Sequence, residues 1–352
     1  MKRKKIAVLS GDGIGPEVMD EAIKVLDAIC DKDSLSFDYV HADVGGYAYD
    51  KHGTALPKKT LDICKNSNAI LFGSVGGPKW DKLSLDKSIE RESILGLRKH
   101  FGFFANLRPA VLYPEMINSS PLKLSKVFDI MIVRELSGDV YFGQSRLEDE
   151  WASDEMKYTK EQCIRIARTA FEISMKRRKH VTCVDKSNVL SSSMLFRKYI
   201  TEVSREYPEA MLDYMYVDNA AMQLIKKPYY FDVIVTTNLF GDILSDEAAV
   251  LTGSIGMLGS ASLNKDGLGL YEPAGGTAPD IAGKKIANPI AQILCGALML
   301  RHSFGMDESA QSIETAVRKI LGKRFRTRDI MQEGMKEVST SKMGDLIAKI
   351  IK

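Results

Sequence analysis

Val127-Phe128-Asp129-Ile130-Met131-Ile132-Val133, closed by Arg134, is an apolar, β-branched run that stops on a charge. Three further runs have the same form. Val181-Thr182-Cys183-Val184 stops at Asp185 and Lys186, Met215-Tyr216-Val217 at Asp218, and Val233-Ile234-Val235 at Thr236, Thr237 and Asn238. Short runs of this composition read as buried strands. Ligands of open α/β sheets sit beyond the carboxyl ends of the strands. Arg134, Lys186 and Asp218 are therefore expected at one mouth. A guanidinium, an amine and a carboxylate together suit an anionic substrate held by a metal, with the lysine as acid/base.

The chain has 352 residues, and a prior of about 150 residues per domain predicts two domains. Hydrophobic residues make up 45% and charged residues 27%, ordinary for a protein with a sizeable core. The net charge of +3 is close to balance. The basic opening Met1-Lys2-Arg3-Lys4-Lys5 reads as a solvated terminus, because no aromatic-laced basic patch follows to bind nucleic acid. Five dispersed cysteines without a CxxC pair argue for a reducing compartment. No segment approaches the ~20 apolar residues of a membrane span. The first apolar run, Ile6-Ala7-Val8-Leu9, is short for a signal-peptide core. A cytoplasmic location is expected.

Strands alternate with helices, which predicts an α/β fold. A strand at 5–9 leads into Gly11-Asp12-Gly13-Ile14-Gly15-Pro16, then a helix at 17–30 whose stripe is Val18, Ala22, Val25, Leu26 and Ile29. Another strand precedes Gly45-Gly46, and Ala69-Ile70-Leu71-Phe72 runs into a second glycine-rich turn. Helices are predicted from about 290 and at 344–351.

The first glycine motif is a poor dinucleotide fingerprint. Its spacing is G-x-G-x-G, with no ribose-binding acid about 20 residues on. A tight turn with Pro16 opening the helix explains it equally well. Around Arg98, helical spacing puts Ile94 and Leu95 on the guanidinium's face, an apolar patch one turn from a cation. Arg98, Arg108 and Arg134 suit carboxylate recognition through the guanidinium fork. Asp242 and Asp246 stand at i, i+4, where like charges repel unless a cation lies between them. With Asp218 they form a candidate three-carboxylate site for Mg²⁺ or Mn²⁺, although Asp242 could simply complement the helix dipole. Tyr141 and Lys186 are each unremarkable alone but form a plausible acid/base pair beside a metal and arginines. The loop 272–283 is rich in glycine and proline, as functional loops often are. Its Asp280 could accept both hydroxyls of a ribose.

These motifs, in this order along nearly the whole chain, resemble the β-decarboxylating hydroxyacid dehydrogenases of the isocitrate/isopropylmalate type. The resemblance rests on Gly11-Asp12-Gly13-Ile14-Gly15-Pro16-Glu17, Leu97-Arg98-Lys99, Asn106-Leu107-Arg108-Pro109 and Val133-Arg134-Glu135. It continues through Tyr141-Phe142-Gly143, Asp185-Lys186-Ser187-Asn188-Val189-Leu190, Tyr216-Val217-Asp218, Gly241-Asp242-Ile243-Leu244-Ser245-Asp246 and Gly276-Thr277-Ala278-Pro279-Asp280-Ile281-Ala282-Gly283.

The resemblance implies two α/β domains with a cleft between them and no Rossmann fold. Residues 1–104 plus 254–352 would bind cofactor, and 105–253 would bind substrate and metal and make the dimer. It implies that Arg98, Arg108 and Arg134 grip a malate's carboxylates, and that Asp218, Asp242 and Asp246 hold Mg²⁺ or Mn²⁺. Lys186 would take the hydroxyl proton and Tyr141 would protonate carbon. Lys186 and Asp218 would cross into the site of a homodimer partner. NAD⁺ would lie on Gly275, Gly276, Thr277, Ala278, Pro279, Asp280 and Ile281, with Asn288 beside the adenine. Ile94 and Leu95, with Val189 from the partner, would surround an isopropyl group. A third carboxylate buried there would be costly. Relatives often carry glutamate seven residues before the first arginine. Here that position is Arg91, between Glu90 and Glu92, and a one-residue helix shift would bring Glu90 in. Thr277 replaces a common serine. The rivals are a sister enzyme for tartrate, D-malate or homoisocitrate, and a non-catalytic metal–carboxylate binder.

Overall fold

A computed structural model describes residues 3–84 and 87–352. Met1 and Lys2 of the basic opening lie outside the described residues. The backbone divides into two compact units, one of residues 1–101 and 253–352 and one of 102–252.

The N-terminal segment runs β1 (Lys4–Gly11), α1 (Gly15–Asp33), β2 (Phe37–His41), α2 (Gly45–His52), α3 (Lys58–Lys65), β3 (Ala69–Ser74) and α4 (Gly96–Phe101). The middle segment holds β4 (Ala105–Val111), β5 (Asp129–Glu135), β6 (Ser145–Leu147), β7 (Ala152–Asp154), α5 (Lys160–Met175), β8 (His180–Asp185) and α6 (Ser191–Ser204). It continues with β9 (Met211–Tyr216), α7 (Val217–Lys226), β10 (Val233–Thr236) and α8 (Asn238–Leu251). The last segment has β11 (Gly259–Leu263), β12 (Gly269–Pro273), α9 (Ile290–Phe304), α10 (Asp307–Gly322), β13 (Phe325–Arg326), β14 (Lys336–Glu337) and α11 (Thr340–Ile351).

In the first unit β2, β1, β3 and β12 lie side by side in parallel, and β11 pairs antiparallel with β12. This unit is built from both ends of the chain, since β12 docks on β3. In the second unit β5, β10, β8 and β9 are parallel in that order, and β4 pairs antiparallel with β5. Ile6, Val8, Ile70 and Leu71 in the first unit, and Ile132, Val133, Val181 and Ile234 in the second, are fully buried. Removing each such side chain from water contributes about 1.5–3 kcal/mol.

Three of the four apolar runs are buried strands. The third is not: it spans the end of the edge strand β9 and the start of α7, and its Tyr216 is 39% exposed. An apolar run at an edge has a free face that composition alone does not reveal. Around Arg98, residues Arg91–Leu95 form a π-type turn before α4 begins at Gly96. The extra residue of such a turn breaks the 3.6-residue register assumed for Ile94, Leu95 and Arg98.

The first glycine motif is a packed turn. Asp12, only 6% exposed, accepts hydrogen bonds from the backbone N–H groups of Gly46 (2.7 Å) and Tyr47 (2.8 Å) at the start of α2, and of Gly76 (2.9 Å). Gly13 has φ +58°, and a Cβ there would lie 2.1 Å from the Thr277 carbonyl oxygen. The Ile14 N–H donates to that carbonyl at 2.9 Å. The turn thus clamps the 272–283 loop. Gly13→Ala is expected to destabilise the protein by about 1–3 kcal/mol through backbone strain alone, read as a lowered denaturant midpoint. The clash with Thr277 adds to that loss.

Candidate active site

In the second unit, α8 begins two residues after β10, which lies beside β5 with Thr236 opposite Arg134. This places the first turns of α8 over the end of β5. Arg134 is 1% exposed. Its Nε donates to Asn238 Oδ1 at 2.8 Å, its Nη1 pairs with Asp242, and its guanidinium lies 5.3 Å from the centre of the Tyr141 ring. Arg108 comes from the antiparallel neighbour β4. Its Nε donates to Asn106 Oδ1 (2.8 Å) and its Nη1 to Ser245 Oγ (2.7 Å) and Asp246 (3.2 Å), while Nη2 lies 3.3 Å from Asp242. The Tyr141 hydroxyl donates to Asp242 Oδ2 at 2.7 Å.

Two carboxylates one helical turn apart are therefore held together by two guanidinium groups of the same unit. Burial, and then the neighbouring Asp242 charge, push the Asp246 carboxyl above its usual range, while Arg108 and Arg134 act against them. These are hard oxygen donors, suited to a Mg²⁺-like cation.

Asp218 does not join them. It heads α7 after the edge strand β9 and pairs with Lys186 at the end of β8. That lysine is what lowers the Asp218 carboxyl. Strands β10 and β8 separate β9 from β5, so the two strand ends lie about 14 Å apart at ordinary strand spacing. Among the described residues no group of three or more His, Cys, Asp or Glu side chains is placed to hold a metal. The expected single mouth is thus two clusters within one chain: Arg108, Arg134, Tyr141, Asp242 and Asp246 in one, Lys186 and Asp218 in the other. Val189 follows Lys186 and is 66% exposed.

In the first unit Arg98 is buried, and its Nη2 donates to Glu272 at 2.8 Å, whereas its Nε has no partner. Ile94 and Leu95 are half-buried. Glu92 accepts the Thr54 hydroxyl and the Ala55 N–H, so it is committed to structure. Glu90 lies against Gly76 (φ +98°), where a Cβ would sit 1.9 Å from the Glu90 Oε1.

A cavity of about 310 Å³ opens in the same unit, within the range of small-molecule sites. Gly275, Gly276, Ala278, Ile281 and Asn288 line it; Thr277, Pro279 and Asp280 do not. Thr277 is buried against the first glycine turn, and Pro279 and Asp280 are exposed. Sequence reasoning missed Ile14 and Val18 of the α1 region and Asp329, which also line it. Asp329 accepts from Ser254, from Asn288 Nδ2 (3.0 Å) and from Thr327 (2.6 Å). The glycine motif before Val18 was the available signal for the first two. Asp329 offered none, because its partners are distant in sequence. The apolar walls and the glycine backbone suit a flat, apolar base with polar edges.

The chain belongs to the isocitrate/isopropylmalate dehydrogenase family, whose model matches residues 5–347. The 3-isopropylmalate dehydrogenase of Pseudoalteromonas translucida is 57% identical over 332 residues, covering 92% of this chain and 93% of its own. That of Thermotoga maritima is 56% identical, covering 98% of each. Among solved structures, isocitrate dehydrogenase from Methylococcus capsulatus superposes with a TM-score of 0.88 at 34% identity, covering 99% of each chain. A β-decarboxylating dehydrogenase from Thermococcus kodakarensis gives 0.80 at 35%, covering 99% of this chain and 96% of its own.

Glu247, next to Asp246, has a buried Oε1 without a hydrogen-bond partner, and burial raises its carboxyl from 4.5 to about 7. Its folded value exceeds its unfolded one, so the associated stability is complete below about pH 4.5 and is lost as pH rises through about 7. Melting temperatures of chelator-treated protein should show this decline, and Glu247→Gln should flatten it.

Proposed function

We propose that the chain catalyses NAD⁺-dependent oxidative decarboxylation of (2R,3S)-3-isopropylmalate to 2-oxoisocaproate (4-methyl-2-oxopentanoate), a step of leucine biosynthesis. The observation that carries this is the cluster in which the Tyr141 phenol, two guanidinium groups and two carboxylates of α8 meet. The full-length relatives named 3-isopropylmalate dehydrogenase support the same reading.

Arg108 and Arg134, with Arg98 as third arginine, bind the two carboxylates of the substrate. Asp242 and Asp246, joined by Asp218 of a second copy, hold Mg²⁺ or Mn²⁺, which supplies Lewis-acid polarisation at the C2 oxygen. NAD⁺ supplies the hydride acceptor. Its adenosine end fits the cavity lined by Ile281 and Asn288, and Asp280 beside Ile281 is the acid offered to the ribose hydroxyls. An acid there disfavours a 2′-phosphate. Glu90 is the acid of the nicotinamide side, because the π-type turn supplies the one-residue shift that Arg91 would otherwise require.

Lys186 accepts the C2 hydroxyl proton as the C2 hydride leaves. The bond from C3 to its carboxylate then breaks, CO₂ departs, and the Tyr141 phenol gives its proton to C3. Ile94 and Leu95, with Val189 of the second copy, enclose the isopropyl group, and their apolar surface excludes a third carboxylate.

The chain works as a homodimer in which Lys186 and Asp218 complete the other subunit's site. The split between the two clusters supports this, as do exposed apolar residues on α7 and α8: Met222, Ile225, Ile243 and Val250 are half or more exposed. Such a face suits a self-complementary contact. Among the described residues no helix is long and apolar enough to cross a membrane. The five cysteines are unpaired, which fits a reducing cytoplasm.

Absorbance at 340 nm across a panel of malates tests the assignment. Isopropylmalate should lead, activity should vanish with chelator, and equal turnover of D-malate would defeat the substrate assignment. Lys186→Met should abolish oxidation, whereas Tyr141→Phe should mainly slow decarboxylation. Mixing Lys186→Met with Asp242→Asn chains should restore about a quarter of the parent rate, since half the dimers are mixed and each has one intact site. Silence of that mixture after verified subunit exchange would remove the shared site.

A further inference from the structure

Tyr141 stands in a turn at residues 139–143, yet its phenol meets Asp242 on α8 at 2.7 Å. The residue that opens this turn, Asp139, is 1% exposed and has φ +75°. That backbone region suits glycine, and a buried non-glycine residue held there signals a side chain the position requires.

The Asp139 carboxylate is fully engaged. Oδ1 accepts the Val140 N–H at 2.8 Å, and Oδ2 accepts the Tyr158 hydroxyl at 2.9 Å and the Leu239 N–H at 3.1 Å. The Asp139 backbone carbonyl closes the turn by accepting from the Phe142 and Gly143 N–H groups at 3.2 and 3.1 Å. Leu239 lies in the first turn of α8, the helix that carries Asp242 and Asp246.

Thr237, at the N-cap of α8, makes no side-chain capping bond. The unsatisfied N–H groups of that helix end are met from outside instead. Asp139 takes that of Leu239, and the Tyr158 oxygen takes that of Asn238 at 2.8 Å. Asn238 returns the connection: its Nδ2 donates to the Leu136 and Gly138 carbonyls, and its Oδ1 accepts from Arg134. The Tyr141 turn and the start of α8 are thus bound into one closed network.

We infer that Asp139 is a positioning residue for proton delivery by Tyr141, acting by anchoring the Tyr141 turn to the first turn of α8. This rests on the reading of Tyr141 as the group that protonates C3. The carboxylate acts through geometry: it fixes the phenol against α8, so that the proton reaches one face of the carbon without a conformational search.

The test is a double-mutant cycle on the full-length protein, with isopropylmalate, NAD⁺ and Mg²⁺. Asp139→Gly suits the positive φ and removes only the carboxylate. It should lower kcat about tenfold while leaving KM for isopropylmalate within about twofold. In a Tyr141→Phe background the same substitution should cost less than about twofold, because its route of action is already gone. Asp139→Asn, which also tolerates this backbone, should fall between parent and Asp139→Gly, and it carries the test if the glycine variant does not fold. Equal losses in both backgrounds, or an unchanged kcat in the Tyr141 parent, overturn the proposal. Failure of the functional reading shows separately, as absent NADH formation by the unmodified chain, and would take the proposal with it.

Discussion

Two negative charges one turn apart on α8 are offset by Arg134 and Arg108, which face them from neighbouring strands. Arg134 is almost wholly buried, and a buried guanidinium without an anion would be strongly unfavourable. The pairing therefore fixes three elements at once: β5, which carries Arg134; β4, which carries Arg108; and α8. Tyr141 is drawn into the same arrangement through its bond to Asp242. The electrostatics that would recognise an anionic substrate also determine where the helix sits.

The sequence disclosed the parts of the fold that depend on local periodicity. The apolar stripe of α1 and the solid runs of β5, β8 and β10 are visible because a buried element repeats at its own period. Met215-Tyr216-Val217 looked the same but ended an exposed edge strand, since composition does not say which strands have two neighbours. Around Arg98 a π-type turn adds one residue to the helix, which leaves no sequence mark, so the spacing of Ile94 and Leu95 from Arg98 is not that of a regular helix.

Individual residues of the candidate cluster stand out in the sequence, but their grouping does not. Arg134, Asp242, Asp246 and Tyr141 lie together in the second unit. Asp218 stands apart, because strand order decides who meets whom and strand order is not written locally. Glu272 opposite Arg98, Asn238 beside Arg134 and Asp329 beside Asn288 were invisible for a related reason. Each is a partner separated from its target by tens of residues or more. In the first glycine motif Asp12 is spent on α2 and Gly76, and the turn holds the loop beside the cavity through the Ile14–Thr277 bond.

The seating of β12 against β3 has an effect during synthesis. The strand that extends the first sheet emerges from the ribosome nearly two hundred residues after the strand it joins. The intervening stretch, 102–252, is a continuous compact unit and can collapse on its own contacts while the opening segment waits. Order of maturation is thereby the reverse of order of translation. Through that interval β3, paired with β1 on one side only, carries an unsatisfied hydrogen-bonding edge, an exposed template for mispairing in the nascent amino-terminal third.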